Sequence, residues 1–271
     1  MFSWKAWRRD GTRRVYAIGD VHGRLDLFRR LIGTIKRDNA GRVPVSTRIV
    51  MLGDLVDHGP DSAALVRYCR QLTESTNRFL VLKGDHEAMM ADALGNGGAS
   101  AMDRWLDHGG KATLVSWGVP EPLVTGSDRS ALLAAARHAI GDDVLAWMDA
   151  LPLTSRHEGH LFVHAGIRPG VPLKKQAERD LLEIRGDFLR SQADHGVVVV
   201  HGHSVHESGP DMHRNRIGVD SGAYRTGRLT AIGVEDGQVW SLMTEPDRTD
   251  RDRAKARSEL DDLISGLRTV Q

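Results

Sequence analysis

Cysteine is almost missing from this chain: Cys69 stands alone among 271 residues. One thiol cannot close an internal disulfide, which points to a reducing compartment. Neither sign of charge dominates. The 37 basic and 36 acidic side chains leave a formal net charge of +1, so no basic face of the kind that attracts nucleic acid is expected. No apolar run approaches the length of a bilayer span, and Met1-Phe2-Ser3-Trp4-Lys5-Ala6-Trp7-Arg8-Arg9 lacks the apolar core of a secretion signal. These absences predict a cytoplasmic protein without nucleic-acid or membrane partners, and they leave its oligomeric state open. Hydrophobic residues make up 40% of the chain, enough to fill the core of one large domain or of one domain carrying an insertion.

What the chain does have is a repeated local design. Five short segments each run from an apolar stretch into a Gly turn that carries Asp or His: residues 15–23 (VYAIGDVHG), 49–57 (IVMLGDLVD), 79–87 (FLVLKGDHE), 161–166 (LFVHAG) and 197–203 (VVVVHGH). A short apolar run bounded by Gly reads as a buried strand. The polar residues then fall at the carboxyl ends of strands, the edge where ligands bind in open α/β sheets. Of the 13 histidines, His138, His157, His160, His195, His206 and His213 lack such a strand-end setting and read as ordinary surface or turn residues.

Helical patterns follow the first three segments. Leu25, Phe28, Leu31, Ile32 and Ile35 recur at helix spacing, as do Ala64, Leu65, Tyr68, Cys69 and Leu72, and then Ala88, Met89, Ala91 and Leu94. This alternation predicts an α/β protein with a largely parallel sheet. Residues 100–151 read as helices broken by Gly and Pro, an insertion that serves either as a lid or as scaffold. Residues 228–234 and 238–243 flank Glu235-Asp236-Gly237, a hairpin signal. Beyond Glu245, Leu260, Leu263, Ile264 and Leu267 fit a terminal amphipathic helix packing back on a single domain.

Asp and His without Cys form a hard-to-borderline ligand set for metal ions. Asp20 and His22 are two apart on a turn that Gly19 and Gly23 allow to be tight, so both can face one cation. Asp54 has two oxygens and can bridge to a second cation completed by Asp85, His164 and His203. Two cations roughly 3.5–4 Å apart make a clamp for displacement at phosphorus.

The order and spacing of these segments resemble the phosphoprotein phosphatase branch of the calcineurin-like metallophosphoesterases. The signatures Gly-Asp-x-His-Gly, Gly-Asp-x-Val-Asp-Arg-Gly and Gly-Asn-His-Glu have counterparts at residues 19–23, 53–59 and 84–87, and the later His-Ala-Gly and Gly-His-Ser at 164–166 and 202–204. Asp220-Ser221-Gly222-Ala223-Tyr224 with Gly227-Arg228-Leu229-Thr230-Ala231 is similar to the family's closing strand, so the likeness runs from about residue 14 to 234. It implies the metallophosphoesterase fold: central β-sheets forming a sandwich, flanked by helices, with the catalytic core over about 14–243. It implies two divalent ions, Mn foremost with Fe or Zn as alternatives, one held by Asp20, His22 and Asp54, the other by Asp54, Asp85, His164 and His203. His203 is preferred to His201 because the family's ligand follows the Gly, which leaves His201 as a neighbour of the site. His86 matches the general acid and Asp57 the carboxylate that orients it. Arg185 resembles a phosphate-binding Arg, and Tyr224 is placed beside the site. The implied reaction is direct attack of a metal-bridging hydroxide on a phosphate monoester, foremost phospho-Ser/Thr and also phospho-Tyr in proteins, with phosphorylated small molecules as further substrates. A nucleotide hydrolase of the diadenosine tetraphosphatase type, with Trp105 or Trp117 stacking on a base, is the first alternative. A phosphate-binding module with an impaired site is the second.

Two positions depart from the pattern. His58 stands where the family has Arg, which replaces a fixed charge by a hydrogen-bond donor. Asp85 stands where the family has Asn. A carboxylate is a stronger ligand than an amide but cannot donate, and it sets a negative charge beside an anionic substrate. Tighter metal binding and slower turnover than in an Asn version are expected.

Overall fold

In the computed structural model, residues 13–245 are described; the helix expected around 260–267 lies outside the described residues. The chain opens with strand β1 (Arg14–Ile18), helix α1 (Leu25–Ala40), strand β2 (Thr47–Met51), helix α2 (Ser62–Ser75), strand β3 (Phe79–Val81) and helix α3 (Asp85–Leu94). Helices α4 (Gly98–Trp105), α5 (Lys111–Ser116), α6 (Glu121–Thr125), α7 (Arg129–Ile140) and α8 (Asp142–Asp149) follow. Strands β4 (Thr154–His157) and β5 (His160–Val163), helices α9 (Glu178–Glu183) and α10 (Gly186–Leu189), and strands β6 (Val198–His201), β7 (Asp211–Met212) and β8 (Arg216–Gly218) build the second half. Helix α11 (Ala223–Thr226) and the hairpin of β9 (Thr230–Glu235) and β10 (Gln238–Met243) complete it.

The strands form two five-stranded sheets, ordered β10-β9-β1-β2-β3 and β4-β5-β6-β8-β7. The single, largely parallel sheet read from the β-α alternation is therefore corrected. Only β1-β2-β3 and β5-β6-β8 run parallel, and antiparallel partners flank them. The reason lies in the connections. Long crossovers, helical except between β6 and β8, make parallel neighbours, whereas short turns such as Glu158-Gly159 and Asp236-Gly237 return the chain antiparallel.

Side-chain alternation along the strands makes four layers. Val15, Ala17, Val50 and Leu52 of the first sheet meet Phe162, Val200, Ile217 and Val219 of the second in the space between them. Tyr16, Ile18 and Met51 face the other way, onto α1 and α2. Leu161, Val163 and Val199 point outward from the second sheet onto Leu181, Ile184 and Phe188. The helical segment after α3 shares the first sheet's outer core, through Trp105, Leu114, Trp117, Leu132, Ala136 and Met148. Among the described residues, no helix is long and apolar enough to cross a membrane.

Candidate metal centre

All six parallel strands end at the same edge of the sandwich, and each is followed within four residues by one of these polar side chains: Asp20, Asp54, Asp85 at the start of α3, His164, His203 and Asp220. Cross-sheet bonds pin this edge. His203 N donates to Asp20 Oδ2 at 2.8 Å, and His164 Nδ1 donates to the Leu52 carbonyl at 2.8 Å. The chain bends sharply to achieve this. Of the seven non-glycine residues with positive φ among the described residues, five are His22, Asp54, Asp57, His58 and His203. Such backbone costs on the order of 1–3 kcal/mol per residue and persists only when its surroundings enforce it.

Three groups of donors result: two overlap at a carboxylate, and His22, His58 and His86 form a third. Ligand atoms of Asp20, His22 and Asp54 all lie within 4.8 Å of one another, and so do those of Asp54, Asp85, His164 and His203. Asp54 belongs to both. The donor chemistry fits a cation. His22 Nδ1 donates to the Val56 carbonyl at 2.8 Å, and since a carbonyl only accepts, the Nε2 lone pair is left facing Asp54 Oδ2 at 3.5 Å. Asp20 Oδ1 is buried without a hydrogen-bond partner. Glycine lets both carboxylates in: a Cβ on Gly202 would overlap Asp20 Oδ1, and one on Gly84 would overlap Asp54 Oδ1.

Proton affinities of the metal-free protein report the same unmet demand. Burial, and then the neighbouring Asp220, push Asp20 well above the carboxylate range. Burial, and then Asp85, do so for Asp54. Burial and the nearby His86 hold His22 well below its usual value, hence neutral and able to ligate. Burial opposes a charge on His164, but the hydrogen bond to Asp85 and the charge of Asp20 prevail and raise it to about 9. Asp85 is held far below the carboxylate range: burial works against this, yet His164 Nε2 at 2.8 Å and His203 Nδ1 at 3.1 Å both contact its Oδ1. Asp85 thus balances the charge of His164, whereas burial holds His203 below its usual value, so that it meets Asp85 as a neutral donor.

Beside the first group lies a histidine pair with separate duties. His86 Nδ1 is 2.6 Å from Asp57 Oδ2. Burial alone would lower the His86 value, but Asp54 and Asp57 overcome it and lift it to about 9. His58 is exposed, with its ring stacked on Tyr224 at 4.2 Å and 12°. Tyr224 also meets the His22 ring edge-on at 5.3 Å. An open cleft of about 490 Å³, lined by Arg24, Asp26, Asp61, His58 and Tyr224 among others, adjoins this pair. Burial and His86 depress the His58 value, which keeps its ring neutral.

Two expected neighbours fall differently. His201 is buried on the outer side of β6, packed edge-on against Phe188 at 5.1 Å, and belongs to none of the donor groups. The alternation along β6 explains this: Val200 faces between the sheets, so His201 must face away. Arg185 is exposed and near enough to influence the charges of His203 and Asp220, and its side chain forms no hydrogen bond or ion pair among the described residues.

Three further residues complete the site: Glu87 and Thr113, which the sequence does not single out, and Trp105, which it offers only as a platform for a base. Glu87, 1% exposed, accepts from the backbone N–H groups of Gly84, Asp54, Leu55 and Val56, bracing the loop that carries Asp54 and Asp57. Trp105 Nε1 donates to both Asp57 oxygens at 3.0 Å, and Thr113 Oγ1 donates to Oδ1 at 2.6 Å. Trp105 is wholly buried and Trp117 nearly so, which removes both as platforms for a base.

The fold has known counterparts. A cold-active protein-tyrosine phosphatase of a psychrophilic Shewanella superposes with a TM-score of 0.52 at 17% identity, over 86% of this chain and 81% of that one. Among curated proteins, the symmetrical bis(5'-nucleosyl)-tetraphosphatase of Acidovorax sp. (strain JS42) is 32% identical over 159 residues, 57% of this chain but 44% of that protein. The chain thus spans less than half the length of this relative. Serine/threonine-protein phosphatase 1 of Salmonella typhimurium is 26% identical over 231 residues, 82% of this chain and 93% of that protein. The sequence profile of the calcineurin-like phosphoesterases matches residues 13–228. With the two-sheet architecture and the shared carboxylate edge already in view, this chain belongs to the calcineurin-like phosphoesterase family.

Proposed function

We propose that the chain is a two-metal phosphomonoesterase with His86 as its general acid. The observation that carries this reading is the pair of donor groups sharing Asp54, with the His86–Asp57 pair alongside. Asp20, His22 and Asp54 hold one divalent ion, and Asp54, Asp85, His164 and His203 hold the other. Mn²⁺ suits the mixed Asp/His set, with Fe and Zn as the alternatives. When bound, such a pair supplies Lewis acidity to phosphoryl oxygens and makes water a nucleophile near neutral pH.

The remaining work falls to the protein's own groups. Nδ1 of His86 is engaged by Asp57, so Nε2 is the nitrogen that passes a proton to the departing oxygen. The unpaired Arg185 guanidinium binds the phosphate through its fork of N–H donors. His58 donates one further hydrogen bond, with its ring kept in place by Tyr224.

Phosphorylated side chains of proteins are the favoured substrates. The centre borders an open cleft rather than an enclosed slot, and Trp105 and Trp117 of the insertion are buried and offer no stacking surface. The Salmonella protein phosphatase also aligns over most of both chains. Hydrolysis of diadenosine tetraphosphate is the second reading, favoured by the higher identity to the Acidovorax enzyme. A cytoplasmic site of action, read from the lone Cys69, completes the proposal.

The test is Mn²⁺-dependent hydrolysis of p-nitrophenyl phosphate, followed by phosphopeptides and diadenosine tetraphosphate compared at equal enzyme. Turnover with preference for phosphopeptides is expected. Preference for the dinucleotide would move the assignment to the second reading. Metal and phosphopeptide binding without turnover would make the chain a binding module instead.

A further inference from the structure

The helical insertion reaches the reaction centre through two side chains, and their contacts are unusually specific. Asp57 is a fully buried carboxylate. A buried carboxylate has to be hydrogen-bonded at both oxygens. Oδ2 takes His86 Nδ1 at 2.6 Å, and Trp105 Nε1 sits 3.0 Å from each oxygen, which fixes the carboxylate plane against the indole. Thr113 closes a small ring: its hydroxyl donates to Oδ1 at 2.6 Å while accepting from the Asp57 backbone N–H at 2.8 Å. Ser62 Oγ accepts from the same N–H at 3.2 Å. The ring holds Asp57 at φ +75°, a left-handed conformation that a carboxylate residue adopts only when held. The turn between α4 and α5 adds a third touch, with the Gly109 carbonyl accepting from His58 N at 3.3 Å.

From this geometry we infer that Trp105 and Thr113 are positioning residues for the general acid, acting through Asp57. This rests on His86 being that acid. The insertion then does more than fill the core. It clamps the carboxylate that tethers His86 Nδ1, and so sets the direction in which Nε2 delivers its proton. Without the clamp the carboxylate can rotate, and the ring it holds is free to turn with it. A general acid misaligned in this way still serves esters whose leaving group departs unaided, but fails those that need the proton.

That difference separates positioning from mere support of the fold. The full chain, T113V, T113S and W105F are compared with Mn²⁺ on phenyl phosphate and on p-nitrophenyl phosphate, and ¹⁵N-histidine NMR spectra are recorded for the metal-free proteins. Phenolate, with a parent pKa about 10, needs the proton far more than nitrophenolate does. T113V and W105F are expected to lose about tenfold or more on phenyl phosphate and less than about threefold on p-nitrophenyl phosphate. T113S, which keeps the hydroxyl, is expected to retain the wild-type ratio. The His86 Nδ1 signal should move in T113V and stay in T113S. Equal losses on both esters, impairment of T113S matching that of T113V, or an unmoved His86 signal would overturn the inference. Should T113V not fold, W105F and T113S still decide it. Should the wild-type chain hydrolyse neither ester, the functional reading fails, while the His86 signal continues to judge the positioning claim on its own.

Discussion

The two sheets bring differently built halves to the shared edge. On the first sheet, the loops after β1, β2 and β3 hold four left-handed residues, His22, Asp54, Asp57 and His58, and nearly every polar group there is tied by buried hydrogen bonds. At the same edge of the second sheet, His203 is the one left-handed non-glycine residue among the described residues, and the side chain of Arg185 beside it has no hydrogen-bond partner among them. The first half is strained and braced, while the second is relaxed and open. Chemistry that needs fixed directions, such as shared metal ligation and proton delivery, belongs on the braced half. Under the proposed function, the free Arg185 side chain of the open half is the group left to meet a phosphate.

The comparison predicts the largest effect at the residue that joins the two overlapping donor groups. Asp54→Asn should abolish stoichiometric binding of two ions and reduce turnover more than the 10- to 100-fold typical of outer ligand partners. Asp20→Asn touches only the first group, so it should keep about one ion per chain. Elemental analysis after dialysis against Mn²⁺ distinguishes these. Equal metal content in the two variants would show that Asp54 is not shared.

The next effect is on stability. Four backbone N–H groups converge on the Glu87 carboxylate. Glu87→Gln keeps the shape but turns one acceptor oxygen into a donor, facing N–H groups that it cannot satisfy. Leaving buried donors unpaired costs about 1–3 kcal/mol each, so a loss of about 3 kcal/mol or more is expected in urea unfolding. A loss under about 1 kcal/mol would mean that the strained loop holds its shape without the brace.

How much of this was legible beforehand follows the range of the interactions involved. Asp20, His22, Asp54, Asp85, His164 and His203 could be read because each follows an apolar run and a Gly turn within a few residues. The hairpin at Asp236-Gly237 was visible for the same reason. Glu87 was overlooked because a carboxylate in the first turn of a helix has an ordinary use there, favourable to the helix dipole. Thr113 and Trp105 act on a residue 56 and 48 positions away, across an insertion whose local pattern says only that it is helical. The division into two sheets was equally hidden from local pattern and came only with the family resemblance. Nothing in the β-α rhythm says where one sheet ends and the next begins.

A smaller effect is expected on the open half. Arg185→Ala should raise KM for phosphate esters by about tenfold, in line with loss of a charge-assisted hydrogen bond, and leave metal content and fold intact. Arg185→Lys should recover only part of the loss, because an ammonium cannot reproduce the guanidinium fork. An unchanged KM in the alanine variant would move the phosphate contact elsewhere on the second sheet.

The smallest expected change is also the one with the opposite sign. Asp85 bridges the halves: it lies near the start of α3 on the first sheet's side, and its Oδ1 contacts His164 and His203 of the second. Facing a phosphate at about 4 Å, its charge would oppose binding by on the order of 4 kcal/mol at an effective dielectric near 20, and bound divalent ions cancel most of that. An amide keeps an oxygen to ligate and gains an NH₂ to offer the substrate. Asp85→Asn should therefore raise turnover of p-nitrophenyl phosphate by about threefold to tenfold and bind the second ion more weakly. The increase should be largest at saturating Mn²⁺, where weaker retention of the second ion no longer offsets the relief of phosphate repulsion. An equal or lower rate at every Mn²⁺ concentration would mean that the carboxylate serves the reaction, by holding His164 and His203 in register, more than it hinders the anion.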